Sequence, residues 1–402
     1  MPDFKASFHR RAIRTALLGI AVLLAAPFQG VPEVRADGLT PEGGPAADLA
    51  FVANRDSNDV AVIDTRTRQV IGRFSVGKSP HMTAVGPDGR WVYTTGQDNN
   101  SLTVTRILGL ETVSTLRLGK SPEHLDVSPD GRFIYVGNFE GGTRSIVDAR
   151  QRREVARLSG FANPHNITFT KDGARAFVAN LGSDRVSVVD VRTRTVAASL
   201  SAASPIRLAS LGAHRKVNGI INVTLTPDGR FGYAAHADGG QVAVIDAATS
   251  RVVKYIKTGK TPWRAFATPD GRRMLIPNLG DRTVSVIDTR KQAVVSVLPG
   301  LDGVTGINPA LGGRLAFAVS RSENKVRVYD LEAGRVVKDI PVGRSPETAS
   351  TTPDGRFVFV ATAGSNEVWV LDADRLSVSA VIPNVGKHPW AVAIAGGINY
   401  CH

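Results

Sequence analysis

The chain has 402 residues, with 49 Lys and Arg against 36 Asp and Glu and a formal net charge of +13. This length allows two or three ordinary domains or one large repeat domain, and 42% hydrophobic residues with 21% charged residues exclude an intrinsically disordered chain. The single cysteine, Cys401, excludes an intramolecular disulfide, a cysteine-built zinc site and a c-type haem, which needs two cysteines.

Residues 1–36 have the three-part pattern of a secretory signal peptide. A basic beginning precedes an apolar run over residues 15–28, and Val34-Arg35-Ala36 predicts cleavage after Ala36. The alternative, a membrane anchor, is disfavoured because the apolar run is too short to span a bilayer comfortably. We therefore expect a periplasmic or secreted protein with no stable membrane span after cleavage. Arg10-Arg11 loosely resembles a twin-arginine signal, so Sec and twin-arginine export both stay open.

The remainder of the chain repeats one motif at a period of about 42 residues, interrupted by an insertion at residues 201–218. Five copies of Pro-Asp-Gly-Arg begin at Pro87, Pro129, Pro227, Pro269 and Pro353. Each is followed by a short apolar strand and then by a strand of the type Val-x-Val-Ile-Asp, except in the second repeat, where Arg106 stands in place of the closing aspartate. The strands alternate with period two and are linked by Asp-Gly or Asn/Gly turns, which are hairpin signals. Four short antiparallel strands per repeat predict an all-β chain, a single β-propeller.

The two ends of the repeat region predict how the ring closes. The first strand, 49–54, has the sequence of a second strand of the repeat, and the last, 389–394, has that of a first strand. Pairing them would complete one blade and hide the edges of an open ring. We predict eight four-stranded blades over residues 49–395, with seven as the alternative because the sixth repeat is degenerate. Residues 37–48 are then a linker and residues 396–402 a C-terminal tail.

The repeats resemble a known family. Phe133-Ile-Tyr-Val-Gly-Asn and Phe177-Val-Ala-Asn, with Pro-Asp-Gly-Arg before and Val-x-Val-Ile-Asp after, are similar to the YVTN family of propeller repeats. With eight blades, the chain is also similar to the haem-binding propeller of periplasmic nitrite reductases and to relatives in d-type haem biosynthesis. That resemblance implies haem as a cofactor, although the residues alone leave the cofactor unknown. Seven-bladed relatives include periplasmic binding proteins and sugar lactonases.

Candidate functional residues lie where the inner strand of each blade begins. In a propeller these positions, and the loops between second and third strands, surround one mouth of the central channel. The predicted ligand-binding residues at this mouth are His81, Glu123, His124, His165, Asn166, His236, Trp263, Arg264, Glu347, His388 and Trp390.

Imidazole and carboxylate groups on adjacent blades could ligate a metal or a haem iron, or act as acid and base. The alternative is that Pro-His caps a strand and bonds to loop backbone. The spacing between blades is set by the fold, so it is no evidence for metal, and we assign no metal site from sequence.

A ring of cations is expected at the same mouth, in loops of the type Gly-Lys-Ser-Pro: Lys78, Lys120, Lys260, Arg344 and Lys387. One sign of charge around an opening attracts anions, so an anionic small molecule or an acidic protein surface is the expected partner. The alternative is that these cations are solvated turn residues, because Gly-Lys-Ser-Pro is also a favourable turn sequence. Nucleic acid is not expected, because the aromatic residues do not interleave with the basic ones.

These features favour an exported, soluble and monomeric binding or scaffold protein over an enzyme. No phosphate loop, Gly-x-Ser-x-Gly elbow or His-Glu-x-x-His helix is present, so catalytic residues stay unassigned. One alternative is a haem-handling or redox propeller resembling the d-type haem proteins. Another is a lactonase-like hydrolase, for which Glu123, Glu347 and His165 could supply the carboxylates and the imidazole.

Overall fold

A computed structural model describes residues 46–204 and 219–400. The signal peptide, most of the linker, the greater part of the insertion and residues 401–402 lie outside the described residues. Within them the chain is all-β, with short 3-10 turns at Ala237–Gly239 and Leu311–Gly313. No helix there is long and apolar enough to cross a membrane.

The strands are grouped in eight antiparallel sheets, one per blade. Those of the first four blades are β1 (Leu49–Asn54), β2 (Asp59–Asp64), β3 (Gln69–Ser75), β4 (Pro80–Val85), β5 (Trp91–Gly96), β6 (Ser101–Arg106), β7 (Glu111–Arg117), β8 (Pro122–Val127), β9 (Phe133–Asn138), β10 (Thr143–Asp148), β11 (Arg153–Ser159), β12 (Pro164–Phe169), β13 (Arg175–Asn180), β14 (Arg185–Asp190) and β15 (Thr195–Ser201). The others are β16 (Ile220–Leu225), β17 (Phe231–His236), β18 (Gln241–Asp246), β19 (Arg251–Lys257), β20 (Phe266–Ala267), β21 (Arg273–Asn278), β22 (Thr283–Asp288), β23 (Ala293–Pro299), β24 (Val304–Ala310), β25 (Leu315–Ser320), β26 (Lys325–Asp330), β27 (Arg335–Pro341), β28 (Pro346–Thr351), β29 (Phe357–Thr362), β30 (Glu367–Asp372), β31 (Ser377–Ile382), β32 (Pro389–Ile394) and β33 (Ile398–Tyr400).

The ring closes as the sequence predicts. Strand β1 pairs antiparallel with β32, with Ala50 opposite Ile394 and Val52 opposite Val392. The first blade therefore has the order β3-β2-β1-β32, joining both ends of the repeat region. The predicted eight-bladed, all-β propeller is confirmed, and the seven-bladed alternative is wrong.

The hydrophobic core lies between the faces of neighbouring blades. Along β29, Val358 and Val360 pack against the seventh blade, while Phe359 and Ala361 pack against the first. Period-two alternation thus buries both faces of each middle strand, which explains why these strands are apolar throughout. The outermost strands pack less completely; β7 and β19 are largely exposed.

Asparagine at the end of the second strand ties it to the third. In the first blade, Asn54 Nδ2 donates to Asp59 Oδ1 (2.7 Å) and to Val385 O (2.9 Å). Asn138 Nδ2 likewise donates to the hydroxyls of Thr143 and Ser145. This is the physical role of the asparagine in the repeat. The aspartates that close the third strands fix turns, as in Asp64 Oδ1, which accepts from the Arg66 and Thr67 amides.

Two segments differ from the expected pattern. The inner strand of the sixth blade is shortened, because Pro262 makes only an isolated bridge to Asn278 and the strand proper is β20, two residues long. In addition, part of the segment treated as a tail forms β33, a fifth strand that pairs with β28. The free edge of an inner strand at this end explains that addition, because it offers unpaired backbone groups.

Replacing Asn54 with Ala should lower the free energy of unfolding by about 1–3 kcal/mol, because it removes two buried hydrogen bonds at the ring closure. Urea unfolding followed by circular dichroism measures the change. Gln69→Ala, at an exposed position of the same blade, is the control and should change stability by less than about 0.5 kcal/mol. Equal stability of the two variants would contradict this role of the asparagine.

Candidate functional site at the channel mouth

A bulge at the start of the inner strands shapes the mouth. In the third blade Pro122 pairs with Asn138 and Leu125 with Val136, so Glu123 and His124 together face one residue, Gly137. The second and fourth blades have the same irregularity. Successive side chains of a regular strand point to opposite faces, but a bulge re-aims them. Glu123 and His124 can therefore both contribute to one site.

A missing side chain lets two blades approach closely at this bulge. A Cβ atom on Gly137 would lie 2.7 Å from Pro164 O and 3.3 Å from His165 O. The start of β12 therefore packs directly on the third blade, and the rings of His165 and His124 have centroids 3.7 Å apart.

Three buried donors converge at the mouth. One ligand atom from each of His81, Glu123 and His124 lies within 4.8 Å of the other two. The rings of His81 and His124 meet edge to face, with centroids 5.2 Å apart. We call these three residues the His-Glu cluster. His165 flanks it, with Nδ1 3.0 Å from Ile221 O.

Burial keeps the imidazoles of the cluster neutral. Desolvation, with contributions from Arg55 and Arg264, lowers the pKa of His81 to about 3. Desolvation also holds the pKa of His124 well below its ordinary value. Neither ring nitrogen of His124 has a hydrogen-bond partner among residues 46–204 and 219–400, nor does His81 Nδ1. The cluster thus presents uncharged nitrogen donors at neutral pH.

Glu123 is oriented by its neighbours. Its Oε1 accepts a hydrogen bond from Gln97 Nε2 (2.8 Å), and Gln97 Oε1 accepts one from Arg55 Nη2 (2.8 Å). Burial raises the pKa of Glu123 to about 7, against the opposing effects of Arg55 and Gln97. This carboxyl group is therefore poised to change protonation near neutral pH when a charge arrives beside it.

Trp390 extends the candidate site towards the eighth blade. The guanidinium carbon of Arg55 lies 4.5 Å from the indole centroid, and that of Arg321 lies 5.7 Å from it. His388 is 5.7 Å from the same ring. Arg321 also forms an ion pair with the buried Glu347. An aromatic plane flanked by two cations therefore stands beside the His-Glu cluster, since the rings of His81 and Trp390 are 5.8 Å apart.

The remaining predicted residues have other surroundings. Asn166 and Arg264 line a cavity of about 980 Å³, together with Asp126, whose pKa is raised to about 7 by burial. His236 is fully buried and hydrogen-bonds the carboxylate of Asp184, which precedes β14. Trp263 is half-buried beside the short inner strand of the sixth blade.

The five cations predicted to ring the mouth all have exposed side chains: Lys78, Lys120, Lys260, Arg344 and Lys387. Lys120 pairs with Glu140 at 2.8 Å. For Lys78, Lys260 and Lys387, no ion pair occurs with any described residue.

The residues that surround the cluster were not predicted from the sequence. Arg55, Gln97 and Arg321 each follow the end of a second strand, so comparison of that loop position between blades would have found them. Arg144 was missed as well. It occupies a third-strand position where the first and fourth blades carry Val60 and Val186.

Arg144 is an unusual core residue. Its side chain is fully buried, and Nη2 donates to His165 O (2.9 Å). Its Nε and Nη1 atoms have no partner within the described part of the chain. Burial lowers its pKa to about 9, which still leaves it charged at neutral pH. It places a positive charge behind His124 and His165.

Two family models match different parts of the chain. Residues 45–166 match the family model of the cytochrome D1 heme domain, and residues 207–354 match that of the YNCE-like beta-propeller. The first match contains His81, Glu123, His124 and His165. The resemblance to YVTN-type propellers and to the d-type haem group is thereby confirmed.

Similar proteins are known from several bacteria. Protein NirF of Pseudomonas aeruginosa is 26% identical over 162 residues, which is 38% of this chain and 41% of NirF. The seven-bladed beta-propeller protein Rv1057 of Mycobacterium tuberculosis is 26% identical over 203 residues, 46% of this chain and 47% of that protein. The chain thus matches less than half the length of these relatives.

Among solved structures, the dihydro-heme d1 dehydrogenase NirN in complex with DHE has a TM-score of 0.74 at 18% identity. The match covers 92% of this chain and 83% of NirN. Hydrazine synthase of Kuenenia stuttgartiensis has a TM-score of 0.57 at 22% identity, over 73% of this chain and 95% of the other. At these identities the likeness is one of fold.

Replacing Arg144 with Met should leave the free energy of unfolding unchanged or raise it by up to about 3 kcal/mol, because an apolar side chain avoids desolvating a poorly bonded charge. Chemical unfolding measures this. Arg157→Met, which removes a half-exposed ion pair with Glu154 in the same blade, should change stability by less than about 1 kcal/mol. A clear loss of stability in Arg144→Met alone would show that the arginine supports the fold.

Proposed function

We propose that this protein is an exported propeller that binds an iron tetrapyrrole of the d type at the channel mouth. The observation that carries the proposal is the match to the cytochrome D1 heme domain over residues 45–166, the segment that supplies the His-Glu cluster. Similarity to NirF, and to the fold of NirN, supports it.

The donor atoms of the site fit an iron tetrapyrrole. His81 and His124 offer neutral imidazoles with nitrogens that lack a partner among the described residues, and a haem iron takes such nitrogens as axial ligands. When bound, the group would supply a redox-active iron. The chain's own residues would bind and orient it and would keep bulk water from the buried imidazoles.

The surroundings of the cluster fit the periphery of a tetrapyrrole. Trp390 offers an aromatic surface against which a flat macrocycle can pack. Arg55 and Arg321 lie over the same indole and can bond to carboxylate substituents. The exposed cations of the mouth attract an anionic ligand over longer distances.

Hemin provides the first test. Titrating the mature chain with ferric protoporphyrin IX should give a saturable shift of the visible spectrum with a stoichiometry of one. The double variant His81→Ala/His124→Ala should weaken binding at least about tenfold and change the ligation bands, because it removes both free imidazoles. His236→Gln is the matched control, a buried histidine held by Asp184, and should bind as the wild type does.

A second titration separates charge recognition from ligation of the iron. The dimethyl ester of hemin keeps the iron and the macrocycle but lacks the carboxylates, so it should bind more weakly, and the difference should shrink at high salt. Failure of both hemin and ferric d1 haem to bind the mature chain would contradict the proposal and leave a propeller that binds some other ligand or partner.

A further inference from the structure

We propose that the His-Glu cluster is a binding site for one free divalent transition-metal ion of the zinc type, held by His81, Glu123 and His124. This inference goes beyond tetrapyrrole binding. An iron tetrapyrrole offers one axial position to each face, so a single imidazole satisfies it. Three donors within 4.8 Å of one another exceed that need.

Two imidazoles and one carboxylate are a donor set that zinc-type ions use. Zinc sites with three protein ligands of this composition keep a fourth position for water or substrate. All three residues are buried, with His124 only 1% exposed. The bulge in β8 makes the geometry attainable, because it brings the adjacent Glu123 and His124 to one point.

Three ring nitrogens of the cluster lack a partner among the described residues. Both ring nitrogens of His124 and Nδ1 of His81 are without a hydrogen bond to any residue in the described ranges. Buried polar atoms are normally bonded, so a set of this kind indicates a bound species. A metal ion would use one nitrogen from each ring.

A second layer of contacts orients the carboxylate. Gln97 holds Oε1 of Glu123, and Arg55 holds Gln97. Such outer contacts fix ligating groups in place before a metal arrives. A carboxylate oxygen of Glu123 lies within 4.8 Å of a ring nitrogen of each imidazole.

Nearby positive charge sets the character of the site. Arg55, Arg144 and Arg264 all act electrostatically on the histidines of the cluster, and Glu123 contributes at most one negative charge. A divalent ion in such surroundings favours an anion in its open position. The ion and an anionic ligand would therefore bind together.

Cobalt(II) tests the site with no tetrapyrrole present. The mature chain, freed of metal with EDTA, is titrated with Co²⁺ in chloride buffer, and the visible ligand-field bands are recorded. We expect one equivalent to give bands of a four- or five-coordinate ion, and Zn²⁺ to displace it. His81→Ala, Glu123→Gln and His124→Ala should each weaken binding by about 10–100-fold.

Matched controls separate this site from others. Asp148→Asn replaces a buried carboxyl group at the end of β10, which is not among the predicted mouth residues, and Cys401→Ser/His402→Ala removes the donors at the terminus; both should bind Co²⁺ as the wild type does. Glu123→Gln is nearly isosteric, and its thermal unfolding shows whether it is folded. Binding that survives the cluster variants, or that is lost only with the terminal variant, would overturn the inference.

The two proposals fail independently. Cobalt binding without binding of either hemin or ferric d1 haem would leave the metal site and refute the tetrapyrrole. Hemin binding without cobalt binding would refute the metal site and show that the cluster serves the macrocycle alone.

Discussion

Burial of both faces of every blade is the constraint on which this structure depends. A four-stranded sheet with two apolar faces cannot stand alone in water, so each blade needs a neighbour on either side. Only a closed ring satisfies all of them, and the β1–β32 pairing provides the closure. The inner strands are thereby forced around a common axis. Side chains that are 42 or 43 residues apart in sequence, such as His81 and His124, come into contact for this reason.

The chemistry of the mouth comes from local departures from that regular pattern. A regular inner strand would direct Glu123 and His124 to opposite faces, one into the channel and one into the core. The bulge lets both reach the same point, and Gly137 lets the fourth blade close over it. The repeat therefore supplies the scaffold, while a few irregular positions supply the site.

The fold could be predicted almost completely from the sequence. Turn motifs and strand alternation depend on neighbouring residues, and the number of blades follows from counting the repeats and from the mismatched terminal strands. The site could be predicted only in part. First-strand positions identified His81, Glu123 and His124 as neighbours of the mouth. The bulge that brings these residues together could not be predicted from the sequence. The position of the Arg321 guanidinium beside Trp390 could not be predicted either. Equivalent positions, moreover, differ in surroundings: His236 pairs with Asp184, whereas His124 has no such partner.

Two opposing electrostatic effects act on any metal that would bind at this mouth. Burial removes protons from His81 and His124 and so makes them good ligands for a metal, yet Arg55, Arg144 and Arg264 make the same space unfavourable for a bare cation. A metal centre that carries negative charge of its own is compatible with both the neutral imidazoles and the nearby arginines. An iron tetrapyrrole with carboxylate substituents meets that requirement, and so does a divalent ion bound together with an anion. In both proposals the arginines would favour a ligand whose total charge is negative, while the neutral imidazoles would bind the metal within it.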